Sequence, residues 1–243
     1  MYQKAAELIR SAKRVCAFTG AGISVESGIP PFRGKGGLWN TYDPKFIEID
    51  YFHAHNKQSW ILIKEIFYDF FGQARPNAAH KALAELEAKD IVKTVITQNI
   101  DNLHQEAGSR NVLEFHGTAH RMICLDCRQA FSADKIDLNH LPPECPSCAV
   151  GRLKPDFIFF GEDISEPACS LSFKEAEISD VFIVIGTTGE VMPACMIPAA
   201  ASRNGASIIE VNIRPSRFTE SVTDAFLQGP ATEVMSRLLK TLD

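Results

Sequence analysis

The sequence contains no long apolar run. Its most apolar stretch, Met192 to Ala201, is interrupted by Pro193 and Pro198 and is too short to span a bilayer, so no membrane partner is expected. Positive charge is also scarce: 25 Lys and Arg stand against 30 Asp and Glu, for a net charge of -5. Direct nucleic-acid binding is therefore not expected, because phosphate contacts need clustered cations. Met1 to Arg10 carries Lys4, Glu7 and Arg10 and has none of the apolar core of a secretory signal. A cytoplasmic protein is expected, with its seven cysteines reduced, and in that setting closely spaced pairs favour metal over disulfide. Internal repeats and low-complexity segments are missing as well.

A further absence concerns glycine. Residues 20 to 34 read GAGISVESGIPPFRG and follow the apolar run Val15 to Phe18, as the phosphate-binding turn of a dinucleotide fold does. The third glycine of a G-x-G-x-x-G fingerprint would fall at position 25, which is Val25. The turn keeps Gly20 and Gly22 and runs on into a loop shaped by Gly28, Pro30, Pro31 and Gly34, in which Arg33 could face a phosphate or solvent.

What is present is a rhythm of short apolar runs. Ile91 to Thr97, Val112 to Phe115, Asp156 to Phe160, Val181 to Ile185 and Ser207 to Val211 are rich in Val, Ile or Phe and lack strict alternation, as parallel strands buried on both faces do. Helical patterns occur at Ala5 to Ser11, Ala79 to Lys89, Pro193 to Asn204 and Ala231 to Thr241. Strand alternating with helix predicts an α/β protein with a Rossmann-like parallel sheet, formed by residues 1–35, 79–120 and 156–243. Two insertions break the rhythm and are expected to pack as a smaller lobe: a helical, aromatic-rich module over 36–78 and a cysteine-bearing module over 121–155.

The cysteine module is the most specific feature by spacing. Cys124 and Cys127 form one C-x-x-C knuckle and Cys145 and Cys148 a second, with 17 residues (128 to 144) between them, which suits a tetrahedral zinc site. Four thiolates leave no open position for water, so such a zinc would be structural; a redox dithiol is the alternative. Cys16, Cys169 and Cys195 show no partner pattern and read as small buried side chains.

Polar residues end several of the apolar runs. Gln98, Asn99, Ile100, Asp101 and Asn102 follow the second run, at the edge where open α/β sheets bind ligands, although an Asp or Asn helix cap reads equally well there. His116 ends the run before Gly117 and is either structural or chemical. Gly186, Thr187 and Thr188 offer hydroxyls and backbone N–H groups, and Asn212 closes the run Ile208 to Val211.

Taken together, GAGISVESGIPPFRG, TQNID, FHG, the two C-x-x-C pairs, Phe160-Gly161-Glu162, GTTGEVMPA and Val211-Asn212 resemble the sirtuins, NAD-dependent protein lysine deacylases, in a bacterial or archaeal form. The motifs run in family order from residue 19 to about residue 226, and the one small departure, Thr188 for a common serine, keeps the hydroxyl. The resemblance implies NAD and zinc as cofactors and an acyl-lysine protein or peptide as substrate. It places Gly20, Ala21, Gly22 and Ser24 at the pyrophosphate, Phe32 and Arg33 over the nicotinamide ribose, and Gln98, Asn99, Ile100 and Asp101 around the nicotinamide end. Gly186, Thr187, Thr188, Asn212 and the backbone near Ala225 and Phe226 would hold the adenosine half. Phe160, Gly161, Glu162, Gly189 and Val191 would clamp the peptide as an added strand.

Catalysis is implied for His116, with Asn99 beside it: the acyl oxygen attacks the ribose as nicotinamide leaves, and His116 serves as general base on a ribose hydroxyl. Rival readings are an ADP-ribosyltransferase, a dehydrogenase and a zinc-ribbon interaction module. Sirtuins that prefer succinyl or malonyl lysine resemble one another in a Tyr-x-x-Arg pair, which is missing here. The residue three after Tyr68 is Phe71, and Arg75 lies seven residues beyond Tyr68, so neutral acyl groups are expected.

Overall fold

Val15–Thr19 and Val181–Ile185 are buried at every position, and it is this two-sided burial that makes them the centre of a parallel sheet. The computed structural model describes residues 1–242; residue 243, with which the expected sheet domain ends, lies outside the described residues. In chain order the helices are α1 (Tyr2–Ser11), α2 (Ile49–Ala54), α3 (Asn56–Ile63), α4 (Ala78–Ala88), α5 (Leu103–Ala107), α6 (Ala168–Ile178), α7 (Met196–Arg203) and α8 (Ala231–Leu242). The strands are β1 (Val15–Thr19), β2 (Val92–Thr97), β3 (Val112–Glu114), β4 (Gly117–Cys124), β5 (Ala130–Ser132), β6 (Leu153–Phe157), β7 (Val181–Ile185), β8 (Ser207–Asn212) and β9 (Thr223–Gln228).

Six strands form the main sheet in the order β3-β2-β1-β7-β8-β9, and every pairing in it is parallel. The chain winds from β1 toward β3 in one direction and from β7 toward β9 in the other, so the switch point lies beside β1. That is the position at which open sheets leave a crevice at their carboxyl edge. One face of the sheet is covered by α1, α4 and α8 through Ile9, Leu83, Leu86, Val234 and Leu238. The other is covered by α6 and α7, through Ala176, Ile197 and Ala201 against Phe18, Phe115 and Phe182.

A second apolar cluster joins the two insertions. Phe46, Phe52, Trp60, Ile63 and Phe67 pack with Met122, Leu153 and Phe157, and the Trp60 indole N–H donates to the Leu153 carbonyl at 3.0 Å.

The structure corrects one strand and adds others. The run Asp156 to Phe160 does not join the parallel sheet: its first half belongs to β6, antiparallel to β4 in a small sheet ordered β5-β4-β6. The reason is local, because Leu153 must pair with Cys124 to bring the two knuckles together. β9, α6 and β4 were not legible as such. β9 alternates between buried and open positions, as an edge strand does, rather than showing a continuous apolar run. Cys16 is fully buried as expected, whereas Cys169 and Cys195 are only half-buried.

Candidate active site

The carboxyl ends of β1, β2, β7 and β8 open onto a cavity of about 690 Å³. Gly20, Ala21 and Gly22 leave β1 in a 3₁₀ turn (Ala21–Ser27), and Gly186 leaves β7 with φ +64°. These two turns touch: a Cβ on Gly22 would lie 2.5 Å from the Gly186 Cα, so only glycine lets the turns close against each other. Gln98 bridges the gap, its amide donating to the Thr187 hydroxyl at 3.2 Å, and the Asn212 amide donates to the Thr187 carbonyl at 2.9 Å. Phe32 and Arg33 come from the loop opposite, where Phe32 packs on Trp39 with ring centroids 5.2 Å apart.

His116 lines the same cavity with Gln98, Asn99 and Ile100. Its Nδ1 lies 3.0 Å from the Gln98 carbonyl, which can only accept, so Nδ1 carries the proton and Nε2 keeps its lone pair. Burial lowers the His116 pKa below the ordinary histidine value, and the Gln98 carbonyl opposes that shift in part. A neutral imidazole with a free nitrogen, facing a cavity, can take up a proton at neutral pH.

Asn99 is held from behind. Its backbone N–H donates to the Thr97 hydroxyl at 3.0 Å and its side-chain amide to the Ser24 hydroxyl at 3.0 Å. Ser24 in turn donates to Asp101 at 2.7 Å. Burial raises the Asp101 pKa, against the hydrogen bonds from Ser24, the Leu103 N–H and Asn99. Ser24 and Asp101 stand directly behind the cavity lining, where their hydrogen bonds hold Asn99.

Beneath this network sit two buried histidines, His80 and His104, with ring centroids 5.0 Å apart. His80 caps α4 through Asn77 and approaches Ser24 at 3.5 Å, and His104 lies 2.9 Å from the Thr19 hydroxyl. Burial lowers their pKa values to about 4 and about 3. Folded values below the unfolded one mean that acid favours the unfolded chain, so this part of the stability is complete above about pH 6.5 and falls as pH drops toward 4. Each histidine is expected to cost about 2 kcal/mol at pH 5. Comparing denaturant midpoints at pH 7.5 and pH 5 for the natural chain and His104→Gln checks this; an equal loss in both would show that His104 does not contribute.

The far end of the cavity is apolar, lined by Ile47, Phe67, Phe157 and Phe159, and Phe160, Gly161, Glu162 and Val191 line it as well. The Phe160 N–H donates to the Ile47 carbonyl at 2.9 Å and the Ile49 N–H to the Phe160 carbonyl at 3.0 Å, tying this wall to the helical insertion. Two expected residues lie elsewhere. Gly189 is buried against the Phe218 ring and does not reach the cavity. Phe226 sits in the middle of β9, paired with Glu210 two positions short of the strand end, and its expected place is taken by Gly229, Pro230 and Ala231. Trp39, Glu26 and Arg214 also line the cavity and were missed: Trp39 and Arg214 belong to no short motif, and Glu26, although inside GAGISVESGIPPFRG, reads there as an ordinary surface acid.

The four cysteines converge away from the cavity, their sulfurs all within 4.8 Å of one another. The Cys124–Cys148 and Cys127–Cys145 sulfur pairs are 3.8 and 3.7 Å apart, close to the roughly 3.8 Å edge of a tetrahedron with 2.3 Å zinc–sulfur bonds. A Cβ at Gly151 would lie 2.3 Å from the Cys124 sulfur, so the second knuckle closes only over a glycine. The donor set fits structural zinc. Metal analysis is expected to find one zinc per chain, and Cys124→Ser to lower thermal stability and activity together. Stable, active protein without zinc would contradict this.

Among the described residues, no helix is long and apolar enough to cross a membrane. A sequence model of the Sir2 family matches residues 20–193. The chain is 43% identical over 239 residues to the NAD-dependent protein deacylase 2 of Pyrobaculum aerophilum, covering 97% of this chain and 93% of the relative. Its fold is similar to that of a mutant Sir2 homologue solved in complex with ADP-ribose, with a TM-score of 0.93 and 37% identity over 100% of this chain and 96% of the other. It is also similar to a Sir2 protein solved with a p53 peptide and NAD+, with a TM-score of 0.90 and 31% identity over 99% and 98% of the two chains.

Proposed function

Because the chain belongs to the Sir2 family, we propose that its cavity carries out NAD-dependent protein deacylation, moving an acyl group from lysine to ADP-ribose with release of nicotinamide. The observation that supports this most is the meeting, at one sheet edge, of a free His116 Nε2, a fixed Asn99 and an apolar channel. Bound NAD would supply an electrophilic ribose carbon and nicotinamide as leaving group. Gly20, Ala21 and Gly22 would hold the pyrophosphate, Gly186, Thr187, Thr188 and Asn212 the adenosine half, and Phe32 and Arg33 would cover the nicotinamide ribose and exclude water.

Asn99, locked by Ser24 and Thr97, orients polar groups of the nicotinamide end, with Gln98, Ile100 and Asp101 supporting it. His116 accepts a proton at Nε2 from a ribose hydroxyl, and the Gln98 carbonyl steadies the Nδ1–H of the imidazolium that results. Phe160 to Glu162 and Val191 would bind the peptide by strand addition, which reads little of its sequence. We further read residues 1–35, 79–120 and 156–243 as the NAD-binding domain, 36–78 and 121–155 as the small lobe, and the protein as cytoplasmic, acting without nucleic-acid or membrane partners.

The test is nicotinamide release from NAD with acylated and unacylated forms of one peptide. Release that requires the acyl group supports deacylation; release indifferent to it would point to ADP-ribosyl transfer.

A further inference from the structure

Lys154 is a cation with only 6% of its surface exposed. Its Nζ donates to the Phe157 carbonyl at 2.7 Å and the Pro155 carbonyl at 3.2 Å, lies 2.8 Å from Glu162 Oε2, and stands 4.1 Å from the Phe159 ring centre. The same Glu162 oxygen accepts the Phe159 N–H at 2.7 Å, and the Glu162 N–H returns to the Phe159 carbonyl at 3.0 Å. All these partners lie in residues 155–162, of which 157–162 form a cavity wall, whereas Lys154 itself does not reach the cavity. Lys154 is also fixed in β6, opposite Ile123, one position from the Leu153–Cys124 pair of the cysteine module. The wall is further joined to His116, whose carbonyl accepts the Ile158 N–H at 2.9 Å.

Burying an ion pair is a poor route to stability, because desolvation offsets the attraction. Burial lowers the Lys154 pKa, and Glu162 opposes the shift. What the pair does instead is brace the stretch around Phe159, between the backbone hydrogen bonds made by Ile158 and Phe160, through the Phe157 carbonyl and the Phe159 N–H. We propose that Lys154, acting with Glu162, is a positioning residue that sets the Phe157–Gly161 wall so that an acyl-lysine peptide can add to it as a strand. The inference rests on the deacylase reading and deepens it: the cysteine module acts on substrate binding through this lysine. A side effect on NAD binding is not expected, since the wall lies apart from the glycine turns.

Steady-state kinetics of Lys154→Met and Lys154→Arg decide it. Lys154→Met keeps the chain length and removes the charge; it is expected to raise the peptide KM about tenfold while kcat and the NAD KM stay within about twofold. Lys154→Arg is expected to recover most of the peptide affinity. An unchanged peptide KM in Lys154→Met, or an equal rise in both KM values, would overturn the inference. Should Lys154→Met fail to fold, Lys154→Gln, which also removes the charge and leaves Glu162 in the cavity wall untouched, serves in its place with the same expected split and the same contrary result. A natural chain that releases no nicotinamide with acyl peptide overturns both readings; an active one with an indifferent Lys154→Met overturns this one alone.

Discussion

Replacing His116 with alanine is expected to lower kcat for deacylation by about 100-fold or more, the usual contribution of a positioned general base. Nδ1 is committed to the Gln98 carbonyl and Nε2 is left for the cavity, so the lone pair that takes the proton sits on the ring that alanine removes. The fold is expected to survive, because among the described residues the His116 side chain is held only by this hydrogen bond and by an edge contact with the ring of the adjacent Phe115, 5.4 Å away. NAD binding, measured by calorimetry, is expected to change by less than about threefold, which separates a chemical role from a binding role. The pH profile adds a signature. Since burial lowers the His116 pKa, the acid limb of kcat/KM for the natural chain is expected below pH 6.5, and it should vanish in the variant. A variant retaining more than about a tenth of the natural turnover would contradict the role.

The acyl group gives the second large effect. The inner cavity is lined by Ile47, Phe67, Phe157 and Phe159, none of which can pair with a carboxylate. Tyr68 is turned away, its hydroxyl donating to the Ala119 carbonyl at 3.0 Å, and Arg75 is exposed, bonded to the Ala74 carbonyl at 2.7 Å, and does not line the cavity. Lys154 is close but already paired with Glu162 and two carbonyls. A succinyl carboxylate entering here loses its water without gaining a partner, at a cost of about 3 kcal/mol or more, roughly 100-fold in kcat/KM. Acetyl and longer apolar chains are expected to be removed that much faster. Comparing acetyl, succinyl and myristoyl forms of one peptide checks the order, and a succinyl preference would sink it.

The residues legible in the sequence share a property: each is polar and ends an apolar run. Gln98, Asn99, His116, Thr187 and Asn212 stand out because a parallel strand buried on both faces has no reason to finish on such a group unless the edge is used. The cysteines were legible for a different reason, since two knuckles constrain each other in space wherever the intervening chain goes. Phe226 was misplaced because β9 is an edge strand whose alternation hides its end, and the turn at Gly229 that reaches the cavity lies three residues further on. The Lys154–Glu162 pair carries no periodic or spacing signal; only folding brings a buried cation to that loop. His80 and His104 were equally hidden, one in a helix cap and one behind β1, though together they support the residue that the TQNID motif did reveal.

In NAD-dependent deacylation as proposed for this chain, the acyl group leaves lysine for ADP-ribose rather than for water or another acceptor. Mass spectrometry of a single turnover, with acetylated peptide and NAD in excess, tests it most directly. Equal amounts of nicotinamide, deacetylated peptide and O-acetyl-ADP-ribose are expected, whereas free acetate formed without nicotinamide release, or ADP-ribose attached to the protein with the acetyl group still on lysine, would overturn the deacylase reading.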